Sequence, residues 1–217
     1  MTSPVMTRRV VSTRNAAWAK ALACRLGSAG LRPNPVSVAS VVFAAAAAAG
    51  FLIVPDLTGR YQAAALVLAA AAIQCRLLCN LLDGMLAVEE GFKMPSGEVY
   101  NDLPDRIADI LILVGAGYAC DPRFGPLLGW LAALTAVLTA YVRLLGGSLG
   151  VTQHFVGPMA KPHRMFTLTV ASLAAAGQSL LGWTGHALAA GLVLIAAGSV
   201  VTVWRRTRRI VRELEAR

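Results

Sequence analysis

The sequence predicts an all-α integral membrane protein with six transmembrane helices, preceded by an N-terminal amphipathic helix at the membrane interface. Three observations support this fold class. Hydrophobic residues make up 57% of the 217 residues and charged residues only 14%, whereas an ordinary soluble domain has about 25% charged residues. Six apolar runs approach the roughly 20 residues that a helix needs to cross a bilayer core. The basic residues, finally, are concentrated on one side of the predicted membrane.

The N-terminal segment, residues 1–34, is predicted to lie on the cytoplasmic side. Within it, Trp18, Leu22 and Leu26 alternate with basic residues over residues 12–29. This pattern is typical of a short helix that buries one face in the membrane interface. A Pro-Asn-Pro sequence then precedes the first span.

The six predicted spans form one membrane domain, residues 35–204. They cover roughly residues 36–54, 61–82, 103–120, 125–146, 165–182 and 186–204. Small residues recur along these spans, including six consecutive alanines at 44–49, and small side chains let membrane helices approach closely. The basic tail that follows, residues 205–217, is expected to stop transfer and to contact lipid headgroups.

The distribution of basic residues predicts the orientation. With six crossings, both termini and the second and fourth loops lie on one side, and that side carries every Lys and Arg except Arg60 and Arg123. Such an asymmetry places both termini in the cytoplasm. Orientation and anionic lipid headgroups account for the net charge of +9, so no nucleic-acid partner is expected.

Polar and acidic residues gather where the second and third predicted spans meet the cytoplasmic side. Asn80 and Asp83 are three residues apart at the end of one span, and Asn101, Asp105 and Asp109 recur every fourth residue on the next. Each set therefore shares a helix face. Ionisable groups inside a membrane are costly, which makes them candidates for a functional site. Oxygen-rich faces of this kind suit hard divalent cations that share their ligands with a phosphate.

Residues 80–105 resemble the signature of the CDP-alcohol phosphatidyltransferases, D-x2-D-G-x2-A-R-x8-G-x3-D-x3-D. The spacing is retained without insertion or deletion. Five of the eight signature positions match, namely Asp83, Gly84, Ala87, Gly97 and Asp105. The three departures are Asn80 and Asn101, which stand where the family has Asp, and Val88, which stands where the family has Arg.

The resemblance implies a metal-dependent transfer of a phosphatidyl or substituted phosphate group from a CDP-linked donor to an alcohol acceptor, with release of CMP. CDP-diacylglycerol is the expected donor, and the bacterial cytoplasmic membrane is the expected location. By position, Asp105 would be the catalytic base, and Gly84, Ala87 and Gly97 would line the CDP pocket. The implied ligands of Mg²⁺ or Mn²⁺ are Asp83, Asn80, Asn101 and Asp105.

The two amides change what the resemblance implies about the metal. Each Asp-to-Asn difference removes one negative charge, so four formal charges fall to two and a two-metal site is harder to hold. A single or weaker metal, a different divalent ion and an inactive relative all remain open. Glu98 and Asp102 are close enough in sequence to supply charge, but Asp102 points about 100° away from Asn101 on a helix.

Basic residues near the fifth span are candidates for binding the acceptor or a phosphate. Arg143 ends the fourth span, and Lys161 and Arg164 open the fifth, where Lys161 best matches the family's Gly-Lys-x-Lys segment. Ordinary positive-inside flanking is the alternative reading of these three residues. Asp109 is either a site residue or a partner of Arg106 or Arg143.

Two other function classes stay open. An ion-coupled small-molecule transporter also places carboxylates in helices, but it predicts them near the bilayer centre. A non-catalytic membrane relative of the transferases would keep the helices without the chemistry.

The signature does not fix the acceptor alcohol. The Gly- and Ala-rich third and fourth spans permit a homodimer.

Overall fold

The computed structural model describes residues 17–30, 32–89, 97–151, 156–183 and 186–217. These ranges contain seven α-helices, which correspond in order to the predicted interfacial helix and the six predicted spans. They are α1 Ala17–Ser28, α2 Pro33–Leu52, α3 Gly59–Glu89, α4 Gly97–Tyr118, α5 Gly125–Ser148, α6 Lys161–Leu180 and α7 Ala187–Glu215. A short 3-10 turn, Val54–Asp56, follows α2. Residues 12–16 of the predicted interfacial helix lie outside the described ranges.

Four of the seven helices are long and apolar enough to cross a membrane. These are α2 with its 3-10 turn, most of α3, α5 and α7. The other two long helices carry more polar residues: α4 holds four charged residues between Asp102 and Asp109, and α6 opens with Lys161, His163 and Arg164. The apolar composition therefore supports an all-helical membrane protein in which these four helices are candidate spans.

The six long helices pack in a closed ring. Helix α2 contacts α3 and α4, α3 contacts α6, α6 contacts α7, α7 contacts α5, and α5 returns to α4. Helix α1 lies outside the ring against α3, where Ala19 and Ala23 pack beside Leu82, Met85 and Leu86. The ring encloses a core of fully buried apolar side chains. The largest are Phe51, Leu66, Ile73, Ile112, Leu113, Met165, Leu168 and Leu192.

Proline and glycine mark the ends of several helices. Helices α2, α5 and α6 each have Pro at their first or second position, where the missing N–H has no intrahelical acceptor. Gly150 follows α5 with a φ of 72°, and Gly182 follows α6 with a φ of 67°. Glycine adopts this left-handed conformation without steric cost, so both residues end their helices cleanly.

Helix α7 runs past the predicted boundary at residue 204 and ends at Glu215. Two residues of the basic tail are buried by this extension. Ile210 packs against Val142 and Val151, and Arg206 donates through Nε to the carbonyl oxygen of Val156 at 3.0 Å. The first half of the tail is therefore part of the packed helical bundle, while its other arginines remain exposed.

Glycines set the closest helix contact, between α4 and α5. A Cβ atom added at Gly117 would lie 2.6 Å from the carbonyl oxygen of Gly125 and 2.7 Å from the Cα of Gly129. Neither neighbour is a flexible side chain, so the two helices would have to separate. This approach is what small residues permit in membrane helices.

We expect Gly117→Ala to destabilise the protein by about 1–3 kcal/mol, the usual cost of overpacking a close contact. Gly177→Ala is the matched control, because Gly177 lies within α6 and a Cβ there would meet nothing within 4 Å. Alanine favours a helix over glycine, so the control should be neutral or slightly stabilising. Equilibrium unfolding in mixed detergent micelles measures both variants, and equal stabilities would contradict the prediction.

Candidate active site

The C-terminal half of α3 presents Arg76, Asn80 and Asp83 on one face, because these residues are spaced by four and three positions. Asp83 is only 4% exposed, and its Oδ2 accepts a hydrogen bond of 2.7 Å from Ser37 Oγ of α2. Its Oδ1 is buried without a well-formed hydrogen bond. The amide nitrogen of Asn80 is also buried and unpartnered among the described residues. One carboxylate oxygen and one amide group are thus left unsatisfied on the same face of α3.

Helix α4 supplies the facing acidic residues. Asp105 and Asp109 are one turn apart and almost fully buried, at 5% and 1% exposure. Asn101 is one turn earlier and exposed, while Asp102 is half-buried. The α4 residues of the predicted signature therefore run from the surface into the interior along one helix face.

Buried cations neutralise both of the interior carboxylates. Arg76, which is 0% exposed, donates through Nη2 to Asp109 Oδ1 at 2.7 Å and to Asp105 Oδ1 at 3.4 Å. Arg164 of α6 donates through Nη2 to Asp109 Oδ2 at 2.8 Å. Lys161 Nζ donates to Asp105 Oδ2, so each of the two carboxylates lies between cations from two other helices.

A second layer of contacts fixes these cations and completes the basic wall. Arg164 also donates to Thr139 Oγ1 of α5 at 3.1 Å and to the Met159 carbonyl oxygen at 3.0 Å. Arg143 of α5 donates to both carboxylate oxygens of Asp102, each at 2.9 Å. The charged residues of α3, α4, α5 and α6 therefore form one connected network rather than separate surface pairs.

Asp109 has different partners from those that the sequence suggested. We expected Arg106 or Arg143, but the ion pairs join Asp109 to Arg76 and Arg164. Arg143 pairs with Asp102 instead, and Arg106 lies 3.6 Å from Asp105. Arg106 is close to Asp109 in the sequence, but Arg76 and Arg143 are about equally distant from it, so only the packing of the ring decides that its cations come from α3 and α6.

A cavity of about 530 Å³ opens beside this network, a size typical of small-molecule sites. Six of the residues singled out from the sequence line it: Asn80, Asn101, Asp105, Arg143, Lys161 and Arg164. Trp18 of α1 and the apolar side chains of α3 form much of the remaining wall. The cavity therefore combines a charged floor with an apolar side.

The other predicted site residues lie near this cavity without lining it. Asp83 is packed behind Asn80 against α2, at a distance where it interacts electrostatically with Asp105 and Lys161. Gly84 is half-buried one residue further along. Ala87 falls in the last turn of α3 and Gly97 begins α4, but their surroundings lie outside the described part of the structure, as do those of Val88 and Glu98.

Three residues that sequence reasoning did not assign to the site belong to it. Arg76 connects Asp105 to Asp109, Thr139 supports Arg164, and Arg206 of α7 lines the cavity. Arg76 carried a usable signal, because an arginine deep in an apolar run and one turn before Asn80 needs a buried partner. Thr139 and Arg206 carried none, since their roles depend on how α5 and α7 pack.

No family model matches the sequence of this chain. An uncharacterized protein of Aquifex aeolicus is 30% identical over 155 residues, which cover 70% of this chain and 73% of the relative. The two chains belong to one family.

Solved structures identify the fold of this family. Phosphatidylinositol phosphate synthase PgsA1 of Mycobacterium tuberculosis with CDP-DAG bound has a TM-score of 0.73 and 22% identity, over 90% of this chain and 94% of the synthase. The same synthase in complex with manganese and citrate has a TM-score of 0.74 and 21% identity, over 88% of each chain. Its apo form has a TM-score of 0.70. The family therefore has the PgsA1 fold, as the signature resemblance implied.

The polar residues of this site suit one divalent cation better than two. Among the described residues, no three His, Cys, Asp or Glu side chains form a metal-binding group. The buried Asp83 Oδ1 lacks a well-formed hydrogen bond and fits a cation with oxygen ligands. The unpartnered atom of the neighbouring Asn80 is its amide nitrogen, a donor, so only the Oδ1 of Asn80 could ligate such a cation. Asp105, by contrast, already has a cation at each oxygen.

Proposed function

We propose that this protein transfers a phosphatidyl group from a CDP-linked lipid, CDP-diacylglycerol in the first instance, to an alcohol acceptor with release of CMP. One observation carries the proposal. Three signature positions (Asn80, Asn101 and Asp105) and three basic residues near α6 (Arg143, Lys161 and Arg164) line one cavity in a fold shared with a CDP-DAG-bound synthase. We also propose that all six long helices cross the membrane, with both termini in the cytoplasm.

The apolar and charged sides of the cavity suit the two parts of such a donor. Acyl chains would lie along the apolar surface of α3 near Leu77, Leu78 and Leu81, with Trp18 at the interface. The pyrophosphate would lie at the charged floor, where basic side chains favour its negative charge. Gly84, Ala87 and Gly97 are proposed to let the nucleotide approach the backbone of α3 and α4.

The reaction breaks one P–O bond and forms another at the same phosphorus. The acceptor oxygen attacks the β-phosphate, the bond to the CMP oxygen breaks, and the acceptor proton passes to the carboxylate of Asp105. Asp83 and Asn80 would hold Mg²⁺ or Mn²⁺, with Asp105 and Asn101 facing them from α4. A divalent ion bound there would offset the pyrophosphate charge and stabilise the departing CMP. Arg143 and Lys161, which line the cavity, would orient a phosphate of the acceptor or lipid.

The proposal is tested with purified protein in liposomes that contain radiolabelled CDP-diacylglycerol. We expect CMP release and a labelled product lipid with Mg²⁺ or Mn²⁺, for at least one acceptor among glycerol phosphate, inositol phosphate and serine. Chelation with EDTA should abolish turnover, and re-addition of the metal should restore it. The absence of turnover with every acceptor and both metals would contradict the transferase.

A binding-only protein is the second candidate, and a specific observation favours it. Both oxygens of Asp105 are engaged by cations, Arg76 at one and Lys161 at the other, so the proposed base is occupied in this structure. A non-catalytic relative would bind CDP-diacylglycerol without releasing CMP. Equilibrium binding measured beside turnover distinguishes the two, because saturable binding with no product identifies the second.

A further inference from the structure

We propose that Lys161 takes the place of one of the two cations that a four-carboxylate site would hold, so that this chain binds a single divalent ion, at Asp83. The inference deepens the proposed function and rests on it. Its physical content is that an ammonium group built into the chain neutralises Asp105, because a site with amides at Asn80 and Asn101 has too little negative charge to balance a second divalent ion.

The geometry at Asp105 is the first argument. Lys161 Nζ donates to Asp105 Oδ2, Arg76 lies 3.4 Å from Oδ1, and Arg106 lies 3.6 Å from Oδ2. Three cations therefore surround one carboxylate that is 5% exposed. A divalent ion at this carboxylate would have to displace Lys161 from Oδ2.

The position of Lys161 in its helix is the second argument. Lys161 is the first residue of α6 and precedes Pro162, which suits the start of a helix. A helix N-terminus carries partial positive charge and disfavours a cation. Lys161 nevertheless extends its ammonium into the site with only 22% of its side chain exposed. The ion pair with Asp105 offsets this cost, so the ammonium is held in a defined place.

Formal charge is the third argument. Replacing two carboxylates by amides removes two negative charges, which equals the charge of one divalent ion. The two remaining carboxylates, Asp105 and Asp83, also differ in their partners. Asp105 has cationic partners, whereas Asp83 has a hydrogen bond from Ser37 and no ion pair with any described residue. The remaining capacity for a divalent ion is therefore at Asp83.

The number of bound metal ions tests the inference without any activity measurement. Full-length protein in lipid nanodiscs is titrated with Mn²⁺, and free Mn²⁺ is counted by electron paramagnetic resonance. We expect one Mn²⁺ per wild-type chain and two per chain in the double variant Asn101→Asp with Lys161→Met, which restores a carboxylate and removes the ammonium. Lys161→Arg keeps the positive charge and should still bind one.

Each result of this titration decides the inference. Two ions per wild-type chain, none, or a single ion in a folded double variant would overturn it. Gel filtration and thermal unfolding establish that the double variant is folded, and the Asn101→Asp single variant provides a second test, because its stoichiometry should stay at one while Lys161 is present. CMP release is measured separately, so a chain that binds two ions and turns over would refute the role of Lys161 while leaving the transferase intact.

Discussion

Replacing Asp105 by asparagine is expected to lower CMP release at least about 100-fold, since removing one electrostatic or proton-accepting group from a site of this kind typically costs a factor of 100 to 1,000. Asp105 is the buried signature carboxylate that lines the cavity. Asparagine keeps the shape and one carbonyl oxygen, but it accepts no proton and carries no charge. CDP-diacylglycerol binding should persist, because the apolar wall and most of the basic residues remain.

Asp121→Asn is the control for this experiment. Asp121 is an exposed carboxylate in the turn between α4 and α5, where its Oδ1 accepts a hydrogen bond of 2.8 Å from the Arg123 amide. The Asp121→Asn protein should turn over CDP-diacylglycerol at the wild-type rate. An Asp105→Asn protein that binds the donor and turns over at the wild-type rate would remove Asp105 from the catalytic role.

Replacing Arg76 by methionine is expected to destabilise the protein by about 3–5 kcal/mol, the usual cost of removing one partner of a buried ion pair. Arg76 is fully buried and serves Asp105 and Asp109 together. Methionine fills much of the volume but donates nothing, so a buried carboxylate loses its closest cation. Unfolding in mixed detergent micelles measures the change.

Arg209→Met is the matched control, because Arg209 forms an exposed ion pair with Glu213 at 3.3 Å on the outer face of α7. Such pairs contribute about 1 kcal/mol or less. A double-mutant cycle of Arg76→Met with Asp109→Asn should show coupling, with the double variant less destabilised than the sum of the single variants. Equal effects for Arg76 and Arg209, or additive effects in the cycle, would show that the buried network does not stabilise the fold.

Local patterns in the sequence were enough to predict the helices. Apolar runs and their proline and glycine boundaries reflect short-range physics, and all six predicted spans coincide with helices that differ from them mainly at the ends. The largest differences are at α3 and α7, which run on to Glu89 and Glu215. Polar residues end an apolar run without ending a helix, because a helix requires only that its backbone hydrogen bonds continue.

The candidate site was predictable only in part. The spacing of Asn80 to Asp83 and of Asn101 to Asp105 puts each pair on a helix face, and such periodicity is visible in any single sequence. Which cation meets which carboxylate was not visible. The cations that hydrogen-bond to Asp105 and Asp109 lie 29 to 56 positions away in the chain, so a neighbouring candidate such as Arg106 was misleading for Asp109.

The fold class and the charge network thus have different origins. The sequence by itself determined a helical membrane protein whose second and third long helices carry the spaced polar residues of the signature, because hydrophobicity and helical periodicity act over a few residues. Only the tertiary structure decided that Arg76, Lys161 and Arg164 neutralise the α4 carboxylates while Asp83 keeps an unsatisfied oxygen. Ion pairing depends on distances of a few ångströms between helices, and those distances exist only once the ring has closed.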